Sequence, residues 1–170
     1  TYGFRKTEFY IDARTQGWAL RLNDQPLFLQ GGNWITTDQL LRHSADEGRY
    51  ADEVRLHIDM GFNLIRVWGG GIAERDPFYK AADRLGILVY QEFWQTGDNN
   101  GRWGGSFSYP SDDSLYLSNA RSTVLRLRNH PSLLMWGMGN ELNPEGLNPK
   151  PSIADGMRSI FTALDPDRFF

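Results

Sequence analysis

The chain has 170 residues, enough for one ordinary hydrophobic core, and a formal net charge of −3 at pH 7. That charge provides no basic surface for nucleic acid, and no apolar run approaches the ~20 residues that a membrane span needs. We therefore predict no nucleic-acid partner and no membrane partner. The absence of cysteine excludes disulfides, zinc–thiolate sites and thiol nucleophiles, and it leaves the cellular location open.

Residues 1–26 predict a linking strand and a β-hairpin that lead into the main domain. Apolar and polar residues alternate over 18–22, and a cluster of turn residues follows. The apolar run Leu27–Leu29 then predicts the first strand of a parallel sheet, which opens into a loop at Gly31–Trp34. We accordingly divide the chain into this leading segment and a main domain, 27–170.

From residue 27 onward, apolar strands and amphipathic helices alternate four times. The later strands are predicted at 62–68, 87–93 and 133–139, with the start of a fifth at 167–170. The first two helices are predicted from a capping box at Ser44–Glu47 to Gly61 and from Asp76 to Gly86. The last two are predicted at about 112–128 and about 153–164. In the helix at 112–128, the residues near helical spacing are Leu115, Asn119, Val124 and Leu127. This alternation implies a parallel sheet, either a doubly wound sheet or half of a barrel that typically takes ~250 residues.

Three features that often indicate a cofactor or a metal are weak in this sequence. The glycines at 69–71 fit neither phosphate-loop pattern, and the three histidines are too scattered for a metal site. Asp98–Gly101, within a long Gly-rich loop at 94–111, hints at calcium but lacks the spaced ligands of an EF-hand. We therefore predict no metal and no cofactor.

Glu141 is the strongest catalytic candidate. It follows the strand-like run Leu133–Trp136, lies beside Gly137 and Gly139, and comes directly after Asn140. Chemistry on a barrel takes place at the carboxyl ends of its strands. Glycoside hydrolysis needs one carboxylic acid to protonate the leaving oxygen and a second carboxylate opposite it. The alternative is that Glu141 is a solvated loop residue.

Arg66 lies in the otherwise apolar strand predicted at 62–68. A charge in such a strand is costly unless it is paired, so a carboxylate partner is implied. Arg66 and Trp68 share one face of the strand near its carboxyl end. In the functional interpretation Arg66 holds an anionic nucleophile and Trp68 forms a wall for a sugar. In the structural alternative Arg66 forms a salt bridge, for example with Glu92.

Several of these segments together resemble glycoside hydrolase family 2. The matching segments are LFLQGGNW (27–34), FNLIRVWGGG (62–71), GILVYQEFW (86–94) and NHPSLLMWGMGNE (129–141). Gly3–Lys6 resembles the strand by which an immunoglobulin-like domain leads into the barrel in that family. Within the family, the strongest resemblance of the motifs RVWGGG (66–71) and QEFW (91–94) is to β-mannosidases. Gly139–Glu141, with Pro144 close behind, resembles the branch that acts on mannosyl–glycoprotein glycans, the endo-β-mannosidases.

The resemblance implies an α/β fold: the first half of a (β/α)8 TIM barrel, preceded by a short β-hairpin segment from the end of an immunoglobulin-like domain. It implies a retaining hydrolase of β-mannosides. The preferred prediction is an endo-β-mannosidase, and the alternative is an exo-β-mannosidase or another family 2 β-glycosidase. Glu141 would be the general acid/base, Asn140 would bond the sugar 2-hydroxyl, and Arg66 would lie near the nucleophile. The other substrate-binding residues implied are Asn33, Trp34, Trp68 and Trp94.

The resemblance places the nucleophile after a seventh barrel strand, outside these 170 residues. We therefore expect a fragment that does not turn over substrate alone and that needs the rest of the same polypeptide or a complementary chain. The expected ligand is a β-linked mannoside or glycan. The alternative from another class is a non-catalytic, sugar-binding half-barrel.

Overall fold

The structure is a computed structural model that describes residues 3–36, 38, 40, 47–96, 109–143 and 149–170. Three antiparallel strands come first, and four strands that alternate with four helices follow. The antiparallel strands are β1 (Thr7–Ile11), β2 (Trp18–Leu22) and β3 (Gln25–Leu27). The alternating elements are β4 (Gly31–Trp34), α1 (Glu47–Asp59), β5 (Leu64–Val67), α2 (Asp76–Leu85), β6 (Leu88–Glu92), α3 (Asp113–Leu127), β7 (Leu133–Gly137) and α4 (Pro151–Leu164).

The four later strands form one parallel sheet in the order of the sequence, β4-β5-β6-β7. A doubly wound sheet reverses its strand order at a switch point, whereas a barrel does not. The observed order is therefore that of a partial (β/α)8 barrel. Beside β7, the N–H of Trp136 donates to the carbonyl oxygen of Phe169 at 3.0 Å, so residues near 169 begin to pair as a further parallel strand.

The main core lies between the outer face of the parallel sheet and the helices. The helix α2 buries one face against the sheet, formed by Phe78, Tyr79, Ala81 and Ala82. This helix has Pro77 in its first turn and ends at Gly86, whose φ of 79° is left-handed, as the sequence predicts. None of the helices in the described ranges is long and apolar enough to cross a membrane.

A second apolar cluster lies at the amino ends of the parallel strands. There Leu20 of β2 is buried with Leu88 and Leu134, and further leucines of the hairpin pack around them. The antiparallel sheet therefore covers the amino end of the partial barrel. The origin of this sheet in an immunoglobulin-like domain, and a domain boundary after residue 26, stay predictions.

The prediction for the first barrel strand was wrong. Leu27 pairs with Leu20 in the antiparallel sheet, and the strand β4 is formed instead by Gly31–Trp34, the predicted loop. The reason is close packing, because a β-carbon at Gly31 would lie 2.0 Å from the carbonyl oxygen of Leu64. Glycine permits this approach, and it carries none of the apolar signal by which a strand is predicted.

The predicted face of α3 was also partly wrong. Leu115 and Asn119 are exposed, and the side chains that the helix buries are Tyr116, Ala120, Thr123, Val124 and Leu127. The Asp112 side chain caps the helix by accepting from the N–H of Leu115 at 2.9 Å, which fixes where the helix begins. The capping box predicted at Ser44–Glu47 and the segment Asp98–Gly101 depend on residues outside the described ranges.

Candidate active site

Polar side chains from four consecutive parallel strands meet at their carboxyl ends. The group consists of Asn33 on β4, Arg66 on β5, Glu92 on β6 and Asn140 just after β7, and we name it the Arg66 cluster. The Arg66 Nε donates to Glu92 Oε1 at 2.8 Å, and Nη2 lies 2.6 Å from the same oxygen. Nη1 donates to Asn33 Oδ1 at 3.0 Å, and Nη2 donates to Asn140 Oδ1 at 2.7 Å.

Strand register explains why these side chains converge. Asn33 pairs with Arg66 across the β4–β5 ladder, so both side chains point to the same face of the sheet. The next residues along the two strands, Trp34 and Val67, also pair and point to the opposite face, where both are buried. The sheet therefore separates a polar inner face from an apolar outer face at this level.

Glu92 is the carboxylate that neutralises Arg66. Its side chain is 2% exposed, and its second oxygen, Oε2, accepts from the N–H of Gly69 at 2.9 Å. A buried charge is tolerated when it is paired and hydrogen-bonded in this way. Burial, followed by the negative charge of Glu92, raises the pKa of Tyr90 to about 12. The structural interpretation of Arg66, a salt bridge with Glu92, is confirmed.

The glycines that follow β5 pack tightly around this salt bridge. A β-carbon at Gly69 would lie 2.7 Å from the carbonyl oxygen of Gln95, in the segment that follows β6. A β-carbon at Gly70 would lie 1.9 Å from the ring of Trp68. These glycines therefore permit close approach of the backbone to its neighbours and leave an N–H directed at Glu92.

Asn140 is held in place through both its backbone and its side chain. Its N–H donates to the carbonyl oxygen of Gln95 at 2.8 Å, and a β-carbon on the preceding Gly139 would lie 2.5 Å from that same oxygen. The side-chain oxygen of Asn140 accepts from Arg66. Within the part of the chain that the structure describes, its Nδ2 group has no acceptor, so this donor is available to a ligand.

Glu141 follows the Arg66 cluster directly and is exposed. Its φ of 50° lies in the left-handed region, and from residue 27 onward it is the only described residue other than glycine with a positive φ. This conformation costs a non-glycine residue ~1–2 kcal/mol. Strain of this kind is concentrated at functional sites, where the surrounding structure holds it in place. The geometry thus presents a carboxylate beside a preorganised polar cluster.

The tryptophans predicted to line a sugar site lie in different places. Trp68 is half-buried beside Gly70, close to the Arg66 cluster in sequence. Trp34 is 4% exposed and packs in the main core, and its role in binding a sugar stays a prediction. The Trp94 ring lies against Tyr116 of α3, with centroids 5.8 Å apart, and its role stays a prediction.

Two residues of this region contribute more than the sequence predicts. Glu92 is predicted only as a salt-bridge partner of Arg66, and the signal for a larger role is its charge at the end of an apolar strand. Gln95 is fully buried and binds Asn140 through its backbone, which no side-chain pattern could indicate. In the described ranges, no group of three or more His, Cys, Asp or Glu side chains is arranged to hold a metal ion.

The fold and site thus define a partial TIM barrel with a polar cluster at the carboxyl ends of its strands. Residues 14–170 match the family model described as glycosyl hydrolases family 2, TIM barrel domain. The chain belongs to this family, as its segments predicted.

Relatives of known name agree with this assignment. The chain is 49% identical over 151 residues to a mannosylglycoprotein endo-beta-mannosidase of Lilium longiflorum, covering 86% of this chain and 16% of the relative. It is 35% identical over 125 residues to a beta-mannosidase of Mus musculus, covering 71% of this chain and 13% of the relative. This chain therefore spans less than a fifth of the length of either protein.

Solved structures of similar proteins show the same fold. A beta-D-mannosidase from Dictyoglomus thermophilum superimposes with a TM-score of 0.74 at 28% identity, covering 99% of this chain and 21% of that chain. An exo-chitosanase from Amycolatopsis orientalis superimposes with a TM-score of 0.77 at 27% identity, covering 96% of this chain and 18% of that chain. Both comparisons cover almost the whole of this chain.

Proposed function

We propose that this chain supplies the acid/base part of the active site of a retaining β-glycoside hydrolase that acts on β-mannosides. The observation that carries the proposal is the Arg66 cluster, which lies at the carboxyl ends of the barrel strands directly before Glu141. Mannosyl–glycoprotein glycans are the proposed substrate, with endo cleavage. The 49% identity with the lily endo-beta-mannosidase supports this substrate class.

In this proposal Glu141 first acts as an acid and then as a base. Its proton passes to the glycosidic oxygen as the bond from the sugar C1 to that oxygen breaks, and a carboxylate nucleophile forms a covalent bond to C1. Glu141 then takes a proton from water as the water oxygen displaces the nucleophile. The two carboxylates of a retaining enzyme lie ~5–5.5 Å apart.

Asn140 and Arg66 serve to position the sugar. The free Nδ2 group of Asn140 donates to the 2-hydroxyl, while Arg66 holds the opposite end of the same amide. Because Arg66 is itself fixed by Asn33 and Glu92, this donor is oriented before the substrate arrives. Trp68 is the proposed wall against which the sugar packs.

Glu92 is not assigned as the nucleophile. Its charge is neutralised by Arg66, its second oxygen accepts from Gly69, and only 2% of its side chain is exposed. A carboxylate bound in this way has little freedom to attack C1. We propose that the nucleophile comes from outside these 170 residues, in the same polypeptide or in a complementary chain.

An exo-acting β-mannosidase is the second candidate. The 35% identity with the mouse beta-mannosidase favours it, and the Arg66 cluster would serve either enzyme equally. The two activities differ in their products. Exo cleavage releases mannose, whereas endo cleavage releases an oligosaccharide from the glycan.

The test is an assay of the complete polypeptide that carries this chain, with an aryl β-mannoside and with a glycan that contains a β-linked mannose. We expect hydrolysis, and Glu141→Gln should lower kcat by about 10²–10⁴-fold because general acid catalysis is lost. The matched control is Asp155→Asn, which removes an exposed carboxylate on α4 and should leave kcat unchanged. The proposal would be contradicted if the parent enzyme hydrolysed neither substrate, or if Glu141→Gln kept full activity.

The isolated 170-residue chain is expected to bind sugar without turnover. Tryptophan fluorescence during titration with a mannoside measures binding, and the aryl β-mannoside assay measures turnover in the same sample. Turnover that Glu141→Gln abolishes would show that the chain contains its own nucleophile. Binding without turnover by the complete polypeptide would instead support a non-catalytic, sugar-binding protein.

A further inference from the structure

We propose that Glu74 is a positioning residue for the active site, because its buried hydrogen bonds hold the two strands that flank Arg66. Glu74 lies in the connection between β5 and α2, on the outer side of the sheet, and it contacts none of the Arg66 cluster side chains in the described hydrogen bonds. The kinetic consequences of this inference rest on the proposed function, and its structural consequences do not.

The carboxylate of Glu74 is almost fully buried and accepts one hydrogen bond at each oxygen. Only 1% of the residue is exposed. Oε1 accepts from the indole N–H of Trp34 at 2.9 Å, and Oε2 accepts from the hydroxyl of Tyr50 at 2.8 Å. Burial, followed by the hydrogen bond to Glu74, raises the pKa of Tyr50, so this hydroxyl keeps its proton. The carboxylate thereby connects β4 to α1.

The hydrogen bond from Trp34 to Glu74 fixes the orientation of Asn33, the preceding residue of β4. Trp34 and Asn33 are adjacent in β4, so their side chains point to opposite faces of the sheet. The rest of this strand is Gly31 and Gly32, which have no side chains to pack. Trp34 is therefore the side chain that fixes the orientation of β4, and with it the 3.0 Å bond from Arg66 to Asn33.

A second path runs from Glu74 to β6. The backbone N–H of Glu74 donates to the hydroxyl of Tyr79 at 3.1 Å, and this hydroxyl donates to Gln91 Oε1 at 2.5 Å. Gln91 Nε2 donates to the backbone oxygen of Glu92 at 2.7 Å. Burial raises the pKa of Tyr79, so it remains a hydrogen-bond donor. Gln91 and Glu92 are adjacent, so fixing the outer residue also fixes the inner one.

The two paths act on different partners of the same guanidinium. One path reaches Asn33 through Trp34, and the other reaches Glu92 through Gln91. Arg66 lies between them on β5 and bonds to both. Glu74 therefore sets the spacing of the site from behind the sheet, without touching a substrate.

The chemistry of the two donors provides a matched pair of substitutions. An indole N–H can only donate, whereas a tyrosine hydroxyl can donate or accept. Glu74→Gln can accept from Trp34 with its oxygen and donate to Tyr50 with its nitrogen, so both bonds are retained. Glu74→Leu removes the carboxylate that accepts from both donors, which removes the restraint on β4.

The kinetic test uses the complete polypeptide at a temperature where every variant is folded. Glu74→Leu should lower kcat by about tenfold or more with a smaller change in KM, because a small misplacement of positioning groups slows the chemical step. Glu74→Gln should stay within about twofold of the parent. The control is Asp83→Leu, which removes a part-buried carboxylate from α2 at the opposite end of the sheet and should leave kcat unchanged. Equal loss of kcat in Asp83→Leu and Glu74→Leu would overturn the proposal.

Trp34→Phe provides a second, milder variant that deletes one donor and keeps an aromatic ring. It should lower kcat in the same direction, and the double variant with Glu74→Leu should be no slower than Glu74→Leu alone. This non-additivity is expected because both changes break one path. Multiplicative losses would mean that Glu74 does not act through Trp34.

Crystal structures of the variants separate this inference from the proposed function. In Glu74→Leu, or in Trp34→Phe where the first variant does not fold, Arg66 Nη1 and Asn33 Oδ1 should separate beyond ~3.5 Å, outside hydrogen-bonding range. In Glu74→Gln their contact should persist. An unchanged contact in the disruptive variants would overturn the positioning role. A parent enzyme without β-mannosidase activity would overturn the proposed function alone, since the structural comparison still decides the positioning role.

Discussion

The two ends of the parallel strands both contain part-buried arginines, but in the described hydrogen bonds Arg5 and Arg168 at the amino end donate to backbone oxygens, whereas Arg66 at the carboxyl end donates to side chains. At the amino end, Arg5 and Arg168 both donate to the backbone oxygen of Leu133. Arg168 also donates to the backbone oxygen of Arg128 at 2.7 Å and forms a salt bridge with Asp165. At the carboxyl end, Arg66 donates to side chains from three other strand ends. The first arrangement ties the backbone together, and the second fixes the positions of side chains.

The surroundings of the two ends differ in the same sense. The amino end is covered by the antiparallel sheet, and burial, followed by the charge of Arg168, lowers the pKa of Arg5 to about 10. The carboxyl end keeps an exposed Glu141 and a free Asn140 donor beside its buried salt bridge. The arginines at the amino end therefore tie strands and loops together, whereas Arg66 at the carboxyl end orients polar side chains beside an exposed carboxylate.

The sharpest way to break this arrangement is to remove the charge of Arg66. Arg66→Met leaves Glu92 buried without a cation, which should lower the free energy of unfolding by about 3–5 kcal/mol and abolish activity. Chemical denaturation measures the loss. The control Arg158→Met breaks an exposed pair with Asp155 and should cost less than about 1 kcal/mol. Similar losses in both variants would refute the distinction between the two pairs.

A smaller effect is expected from filling the space at Gly69. The β-carbon of Gly69→Ala would meet two backbone oxygens at 2.7 Å, which should destabilise the fold by about 2 kcal/mol and displace the N–H that binds Glu92. Gly17→Ala is the matched substitution in the hairpin, where the nearest atom would be 3.6 Å away. Thermal unfolding compares the two, and equal stability would contradict the close packing at Gly69.

A pH titration tests the amino end. Burial of Asp83 acts to raise its pKa, but hydrogen bonds from His130 and Ser132 outweigh burial, so the pKa lies below its ordinary value. Because the folded pKa is depressed, Asp83 stabilises the fold above pH ~4, and this contribution disappears as the pH falls through the folded pKa. Asp83→Asn should therefore cost about 1.5 kcal/mol at neutral pH and progressively less in acid. The prediction would be contradicted if the difference in unfolding free energy between the parent and Asp83→Asn became larger as the pH falls.

The smallest expected effect is a gain in stability at the carboxyl end. Glu141→Gly removes the β-carbon from a left-handed position, so it should be about 1 kcal/mol more stable than Glu141→Ala, which keeps that carbon. Both variants should lose activity. Urea unfolding of the pair isolates the backbone strain, and equal stability would show that Glu141 is unstrained.

The accuracy of the sequence predictions depended on how local each signal was. The limits of α2 follow from Asp76, Pro77 and Gly86, which act on their own backbone, and these limits are confirmed. The strand β4 was missed because its two glycines carry no apolar pattern, and their role appears only when Leu64 packs beside them. The buried face of α3 was predicted only in part, because packing against the sheet decides which of several neighbouring helix positions become buried.

The sequence by itself determined the alternating strands and helices, the need of Arg66 for a partner, and the position of Glu141 after a glycine-rich strand end. The tertiary structure decided that Glu92 is that partner, that Asn33 faces inward while Trp34 faces the core, and that Glu74 lies behind both. The physical reason is the sequence separation over which each kind of interaction acts. Capping and periodicity act over a few residues, whereas the contacts of Arg66 with Glu92 and Asn140 join positions 26 and 74 residues apart, which only strand pairing brings together.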